Sequence, residues 1–151
     1  MVSKTKEAVK QLLKEHNTMS LATLCRNFPC AASLFYASDG FVLYFLSRPE
    51  SRHVINILLN PNVAATINKD YLEWRNITGL QIVGKASRVP PEETEPARRV
   101  YERKYPFLNE MLINEKSLIN AAEVDLFKVV PERIRIIDNK VYFGHKAELQ
   151  L

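Results

Sequence analysis

The sequence predicts a mainly β, α+β fold, in which an antiparallel sheet of six or seven strands closes fully or partly into a barrel with peripheral helices. Three strand-like segments follow one another between Thr18 and Leu46 with no helix between them, which favours a meander over a doubly wound parallel sheet. The four glycines of the chain form no dinucleotide, Walker or nucleophile-elbow motif. With 151 residues, 46% of them apolar, we expect one domain spanning residues 1–151.

The first half of the chain predicts one helix and three strands. Ser3–Glu15 places Val9, Leu12 and Leu13 on one side of a helix and lysines on the other. Alternation then predicts the strands, which run over Thr18–Cys25, Cys30–Ala37 and Phe41–Leu46. The last of these is a continuous apolar run after a Ser-Asp-Gly turn, which is typical of a strand buried on both faces.

The second half predicts further strands around one long helix. In order, the segments are a short helix ending at Asn60-Pro61, strands Val63–Asn68 and Asn76–Val89, helix Glu92–Tyr105, a loop or short helical piece over Phe107–Leu118, a strand over Glu123–Val130 and Arg133–Ile137 interrupted at Pro131, and a last strand over Lys140–Gly144. Gly79 and Gly84 inside a predicted strand indicate a bend, or a close approach by a ligand or another backbone.

The turn between the third strand and the short helix carries the clearest chemical signal. It contains Ser47, Ser51, Arg52 and His53 at a strand-to-helix junction. The first amides of a helix lack internal partners and favour an anion, and a guanidinium binds two phosphate oxygens at once. The residues therefore suit a phosphate site. They also suit a capping box made by Ser47 and Glu50, with the arginines in solvent.

Composition restricts the remaining classes of function. A net charge of +4 without a dense basic tract permits an anionic ligand but does not indicate nucleic acid. No apolar run is long enough to span a membrane and the N-terminus is too polar for a secretory signal, so we expect a cytoplasmic protein with no membrane partner. The scattered histidines predict no metal site. Cys25 and Cys30 are expected to be free thiols, although a cross-strand disulfide stays possible.

The order of these segments resembles the FMN-binding split-barrel superfamily related to pyridoxamine 5'-phosphate oxidase, and its YhbP-like branch in particular. The resemblance rests on the segments CAAS at 30–33, Ser47 with SRH at 51–53, NPNVA at 60–64, GLQIVG at 79–84 and VYFGHK at 141–146. Each segment is short, and their order and spacing over nearly the whole chain carry the likeness. It implies an antiparallel split β-barrel that works as a homodimer.

The resemblance also implies a cofactor and its contacts. FMN would lie at the dimer interface, with its phosphate held by Ser47, Ser51, Arg52 and His53. The flavin ring would rest against the second strand, at Ala31, Ala32 and Ser33, and Gln81 would reach the ring or the ribityl chain. His53 stands where many relatives carry lysine, so the phosphate contact is expected to depend on pH. A deazaflavin is the alternative to FMN.

The function implied by the resemblance is that of an FMN-binding flavoprotein oxidoreductase. Hydride or electrons would pass through the flavin from a small-molecule donor to an acceptor that the sequence does not identify, and no side chain is assigned as catalytic. The long terminal extensions and the arginine-containing motif of true pyridoxamine-phosphate oxidases do not occur in the sequence, so that activity is not expected. The alternatives are a non-enzymatic flavin or haem carrier and an oligonucleotide-binding barrel. The aromatic residues of the third strand lie in an apolar run, which disfavours the oligonucleotide-binding barrel.

Overall fold

The computed structural model describes residues 1–107 and 124–151. The strands in this part of the chain are β1 (Thr18–Cys25), β2 (Phe28–Phe35), β3 (Ala37–Asp39), β4 (Val42–Ser47), β5 (Asn62–Asn68), β6 (Thr78–Arg88), β7 (Asp125–Asp138) and β8 (Lys146–Gln150). The α-helices are α1 (Val2–Glu15), α2 (Arg52–Leu59) and α3 (Pro91–Lys104), and a 3-10 turn covers Trp74–Asn76. None of these helices is both long enough and apolar enough to span a bilayer.

The strands form one curled antiparallel sheet, a half-barrel with helices around it. The strand order is β2-β1-β5-β6-β7-β4-β3, and β8 pairs with β7 outside this path. Every pairing between neighbouring strands is antiparallel. The predicted fold class, an antiparallel split barrel with peripheral helices, is therefore confirmed.

The concave face of the sheet holds the main core. Leu43 and Phe45 of β4 are fully buried there, and Phe45 stacks on Phe127 of β7 with ring centroids 5.5 Å apart. The opposite face of β4 is also covered, because Tyr44 packs with Val89 and Ala97 under α3. The prediction that this strand is buried on both faces is confirmed.

The predicted second strand divides into two in the structure. The pairing with β1 ends at Phe35, Tyr36 is fully buried at the corner, and β3 then pairs with β4. The Tyr36 hydroxyl donates a 2.8 Å hydrogen bond to the carbonyl oxygen of Leu13 at the end of α1. Because the ring of Tyr36 is buried at the corner, the apolar pattern of the sequence continues through the bend. The sequence therefore predicts one strand where the structure has two.

The prediction of a last strand over Lys140–Gly144 was wrong. Residues 140–144 lie in turns, where Val141, Tyr142 and Phe143 are exposed. The terminal strand is β8 instead, which places Ala147 and Leu149 opposite Ile136 and Ile134 of β7. Three consecutive apolar residues in the turn imitate a strand in the sequence, whereas β8 offers only two apolar positions.

The predicted interruption at Pro131 is a bulge within one continuous strand, β7. The register between β6 and β7 shifts between Val83 and Gly84, opposite Pro131. A Cβ at Gly84 would lie 2.3 Å from the Val130 carbonyl oxygen. Of the two roles considered for this glycine, close approach by another backbone is therefore observed. The loop or helical piece expected over Phe107–Leu118 lies outside the described residues, apart from its first residue.

Candidate functional site

The strand-to-helix turn forms as predicted, between β4 and α2. Ser51 is the residue at the start of α2, with extended backbone, and its side chain makes no capping hydrogen bond. Ser47 belongs to the end of β4 rather than to the helix start, so the Ser47–Glu50 capping box is absent. Glu50 instead lies 3.8 Å from Arg48 in an exposed ion pair. The first amides of α2 thus keep the capacity to bind an anion.

Ser47 and His53 are joined directly. The Ser47 Oγ and the His53 Nε2 share a hydrogen bond of 2.6 Å, and Ser47 is buried. The imidazole also lies 6.3 Å from the Phe45 ring, measured between centroids. Burial lowers the pKa of His53 below its ordinary value, so the ring is neutral at pH 7 and its contact with Ser47 is a neutral hydrogen bond.

Arg52 is an exposed cation at the start of α2. Its Nη1 lies 3.9 Å from the Sγ of Cys25, at the end of β1. Within residues 1–107 and 124–151, no carboxylate pairs with its guanidinium. The donors of Arg52 therefore stay available to an anion at the start of α2.

A buried polar pair holds α2 in place under this turn. The Asn56 Nδ2 donates a 3.0 Å hydrogen bond to the Thr23 Oγ1 of β1. Both side chains are almost wholly removed from solvent, where an unmade hydrogen bond is costly. This bond fixes the helix start relative to β1.

The convex face of the sheet carries a shallow groove. It has a volume of about 350 Å³ and its lining includes Ala22, Leu24, Pro29, Asn62, Ala64 and Val83. Ala31, Ala22, Ala64 and Val83 lie opposite one another on β2, β1, β5 and β6, which makes one row of small side chains across four strands. Small side chains let a flat ring approach the backbone. Leu24 of this lining is the chain neighbour of Cys25, the residue that Arg52 contacts.

The residues predicted on β2 divide between the two faces of the sheet. Ala31 and Ser33 are exposed on the convex face, whereas the side chain of Ala32 turns to the concave face, opposite the buried Leu21. Gln81 is exposed on the convex face too, in the row of Ser33. That row runs from Ser33 through Ser20 and Thr66 to Gln81. Three strand spacings, about 14 Å, separate its ends.

The structure thus brings Ser47, Ser51, Arg52 and His53 together in one turn. It places Ala31 in the row of small residues with Ala22 and Ala64. Gln81 and Ser33 lie at opposite ends of another row and are not brought together. Sequence reasoning missed Ala22 and Ala64, the centre of the groove. Their signal was available, because residues 20, 22, 62, 64 and 66 are Ser, Ala, Asn, Ala and Thr at alternate positions of two strands. Such a face is too polar for a core.

The two cysteines do not face each other. The register of the hairpin places Cys25 opposite Phe28 and Cys30 opposite Thr23, and both residues are free thiols. Within the described residues, no group of three or more histidine, cysteine, aspartate or glutamate side chains could hold a metal ion.

Comparison with known proteins agrees with this architecture. A family model described as pyridoxamine 5'-phosphate oxidase matches residues 5–138. A UPF0306 protein of Enterobacter sp. (strain 638) is 29% identical over 118 residues, which cover 78% of this chain and 75% of the relative. The UPF0306 protein YhbP of Escherichia coli O157:H7 is 26% identical over 117 residues, covering 76% of this chain and 72% of YhbP.

Solved structures share the fold. A Listeria innocua structure with 25% sequence identity superposes with a TM-score of 0.72, covering 89% of this chain and 98% of that one. A heme binding protein from Mycobacterium smegmatis gives a TM-score of 0.75 at 18% identity, over 96% of this chain and 57% of that one. A FAD-binding protein from Mesorhizobium loti gives 0.68 at 16% identity, over 85% of this chain and 90% of the other.

Proposed function

The chain belongs to the pyridoxamine 5'-phosphate oxidase family, on the branch of the UPF0306 proteins such as YhbP, and from this premise we propose that it is an FMN-binding flavoprotein oxidoreductase. The observation that carries the proposal is the anion-binding turn, in which the exposed Arg52 stands at the start of α2. A flavin mononucleotide needs a site for its phosphate and a flat surface for its ring, and the groove of small residues on the sheet suits the ring. Arg52 contacts Cys25, which follows Leu24 of the groove lining in the chain.

The residues of the turn fit a phosphate. The exposed guanidinium of Arg52 and the first amides of α2 would bind phosphate oxygens through charge-assisted hydrogen bonds, each contributing about 1.5–3 kcal/mol. Ser51, at the helix start, has a side chain that makes no capping bond and is free to contribute its hydroxyl. Ser47 and His53 support the site from beneath through their mutual hydrogen bond.

The groove fits the ring. Ala22 and Ala64 lie side by side on β1 and β5, with Ala31 and Val83 at the ends of the row. The three alanines of this row present only methyl groups, so an aromatic ring can lie flat against the strands. Leu24 and Pro29, which pair across β1 and β2, add apolar side chains to the lining. Bound flavin would supply hydride and electron transfer, the chemistry that these side chains do not perform themselves.

The groove is open on its outer side, which favours a second copy of the chain as its cover. We propose a homodimer whose partner shields the ring from water, as the family resemblance implies. The remaining reactants would be a small-molecule electron donor and an acceptor. A cytoplasmic location stays a prediction of the sequence.

The first experiment is an absorption spectrum of the purified protein, before and after addition of FMN and removal of the excess. Flavin bands that stay with the protein, and are released on denaturation and assigned by mass, would support the proposal. The deazaflavin alternative is distinguished in the same assay by the mass of the released compound. A colourless protein that takes up neither compound would refute the flavin function.

Haem is the second compound to test, because a structural neighbour is named a heme binding protein. Haem bound in place of flavin would give an intense Soret band, and the carrier function would replace the oxidoreductase. If bound flavin is reduced by a nicotinamide donor and reoxidised by an added acceptor, the oxidoreductase is favoured over a flavin carrier.

A further inference from the structure

A second cavity lies between α1 and α3, away from the groove and the turn. It has a volume of about 520 Å³, within the range of small-molecule sites. Its polar and charged lining residues are Lys10 and Lys14 of α1, Ser38 and Asp39 of β3, and Arg103 and Lys104 of α3. Gly40, which also lines it, stands at the opposite end of β4 from Ser47, about 23 Å away along an extended strand.

The charges of this cavity are unbalanced. Four of its lining residues are basic and one, Asp39, is acidic. Lys10 is partly neutralised by Glu7, at 3.7 Å. Lys14 and Arg103, both exposed, have no carboxylate partner within the described part of the chain. Among the described residues, two helices thus present more cations toward one concave space than the single acidic residue, Asp39, can match.

Lys104 is held at the wall of the cavity by the fold. Its Nζ donates hydrogen bonds to the carbonyl oxygens of His16 and Leu13, at the end of α1. The same ammonium lies 4.3 Å from the centroid of the Tyr36 ring. Burial lowers the pKa of Lys104 to about 8, and an anion bound nearby would offset the cost of keeping this group charged.

We propose that this cavity between α1 and α3 binds a small phosphorylated anion, at a site separate from the phosphate turn. Lys14 and Arg103 would contact the phosphate directly. Lysine offers a compact charge and arginine a fork that matches two oxygens, a combination that suits phosphate better than a monocarboxylate. The Ser38 hydroxyl, which makes no hydrogen bond among the described residues, would add a neutral donor. Asp39 would repel the anion and limit its affinity.

The test uses the full-length protein and inorganic pyrophosphate as the probe, measured by calorimetric titration at low ionic strength. We expect saturable binding that the double variant Lys14→Ala/Arg103→Ala weakens roughly tenfold or more. The matched control, Lys4→Ala/Arg99→Ala, removes one charge from each of the same helices outside the cavity and should bind as the wild type does. Equal weakening in both double variants would mean that only net charge matters, and would overturn the proposal.

Two further variants locate the probe. Asp39→Asn removes the acidic group of the cavity and should tighten pyrophosphate binding, a gain that damage to the fold cannot produce. The turn at Arg52 can also bind pyrophosphate, so Arg52→Ala is measured as well, and the binding step that depends on Lys14 and Arg103 should persist in this variant. Loss of binding in Arg52→Ala with normal binding in Lys14→Ala/Arg103→Ala would assign the anion to the turn and refute the second site. Absence of any saturable binding to the wild type would refute it too.

Discussion

Asn56 and Thr23 connect the helix of the candidate site to the sheet through a single buried hydrogen bond of 3.0 Å. The amide of Asn56 is almost wholly removed from bulk solvent, so this hydrogen bond is costly to lose. The position of the anion-binding turn therefore depends on a polar pair inside an apolar core, and its removal tests how firmly the turn is held.

Thr23→Val keeps the shape of the side chain and removes the acceptor. We expect a loss of about 1–3 kcal/mol in the free energy of unfolding, because the Asn56 amide stays buried without a partner. Urea denaturation gives the value. The double variant Thr23→Val/Asn56→Leu should recover part of the lost stability, since no buried polar group is then left without a hydrogen-bond partner. Equal stability of Thr23→Val and the wild type would show that Asn56 finds another acceptor.

Arg52→Ala removes the exposed cation of the turn. Flavin affinity should fall roughly ten- to hundredfold with little change in stability, because one charge-assisted contact with the phosphate is lost. Fluorescence quenching of added FMN measures the affinity. Arg99→Ala, an equal change of charge on the exposed face of α3, is the control and should bind normally. If both variants bind alike, the phosphate lies elsewhere.

Ala64→Phe fills the middle of the groove with a ring of its own. The side chain of Ala64 points away from the main core, so the fold should survive while flavin loading is largely lost. Retained flavin per chain, read from the absorption spectrum, is the measurement. Ser87→Phe adds the same ring to an exposed position of β6, about 13 Å along the strand from Val83, and should load flavin. Normal flavin loading of the Ala64→Phe variant would show that the flavin ring does not bind in the groove.

His53→Gln tests the buried imidazole. Because burial lowers the folded pKa below the ordinary value of 6.5, the unfolded chain takes up a proton first as the pH falls. The wild type should therefore lose stability as the pH falls from 7.5 to 5.5, and the glutamine variant should lose less. Urea denaturation at the two pH values gives the comparison. Equal losses of stability in the wild type and the His53→Gln variant would mean that His53 has the same pKa in the folded and unfolded states.

Gly84→Ala places a methyl group against the bulge of β7, where an added Cβ would come within 2.3 Å of the Val130 carbonyl oxygen. Since that oxygen belongs to the backbone, the strands must separate, and we expect a loss of about 1–3 kcal/mol or more. Thermal unfolding measures it. Gly144→Asn, at a left-handed position with open space around it, should be nearly neutral. A stable Gly84→Ala variant would show that the bulge can shift.

The strands with two-residue alternation were predictable almost to the residue. β1 begins and ends where the pattern of Thr18–Cys25 does. The corner at Tyr36 and the terminal strand β8 were not predictable, for opposite reasons. Tyr36 is apolar and buried at a bend, so its pattern continues through it, whereas β8 is short and polar and owes its pairing to the neighbouring β7.

The candidate site was predictable where it is local in sequence. The turn between Ser47 and His53 is one contiguous segment, so its residues can be grouped from their order along the chain. The groove is assembled from β1, β2, β5 and β6, and only the register shows that Ala22 and Ala64 are neighbours. The contact of Arg52 with Cys25 is of the same kind, since 27 positions separate the two residues.

The place of β7 in the sheet has a consequence for synthesis of the chain. In the described part of the chain β4 pairs with β3 and β7, so on a ribosome the edge of β4 that faces β7 waits for a partner strand that is made about 80 residues later. At roughly 5–20 residues per second, that interval lasts several seconds. During it, the nascent chain carries an unpaired apolar strand edge, which is a natural substrate for a chaperone. The arrival of β7 then joins the two halves of the sheet in one step.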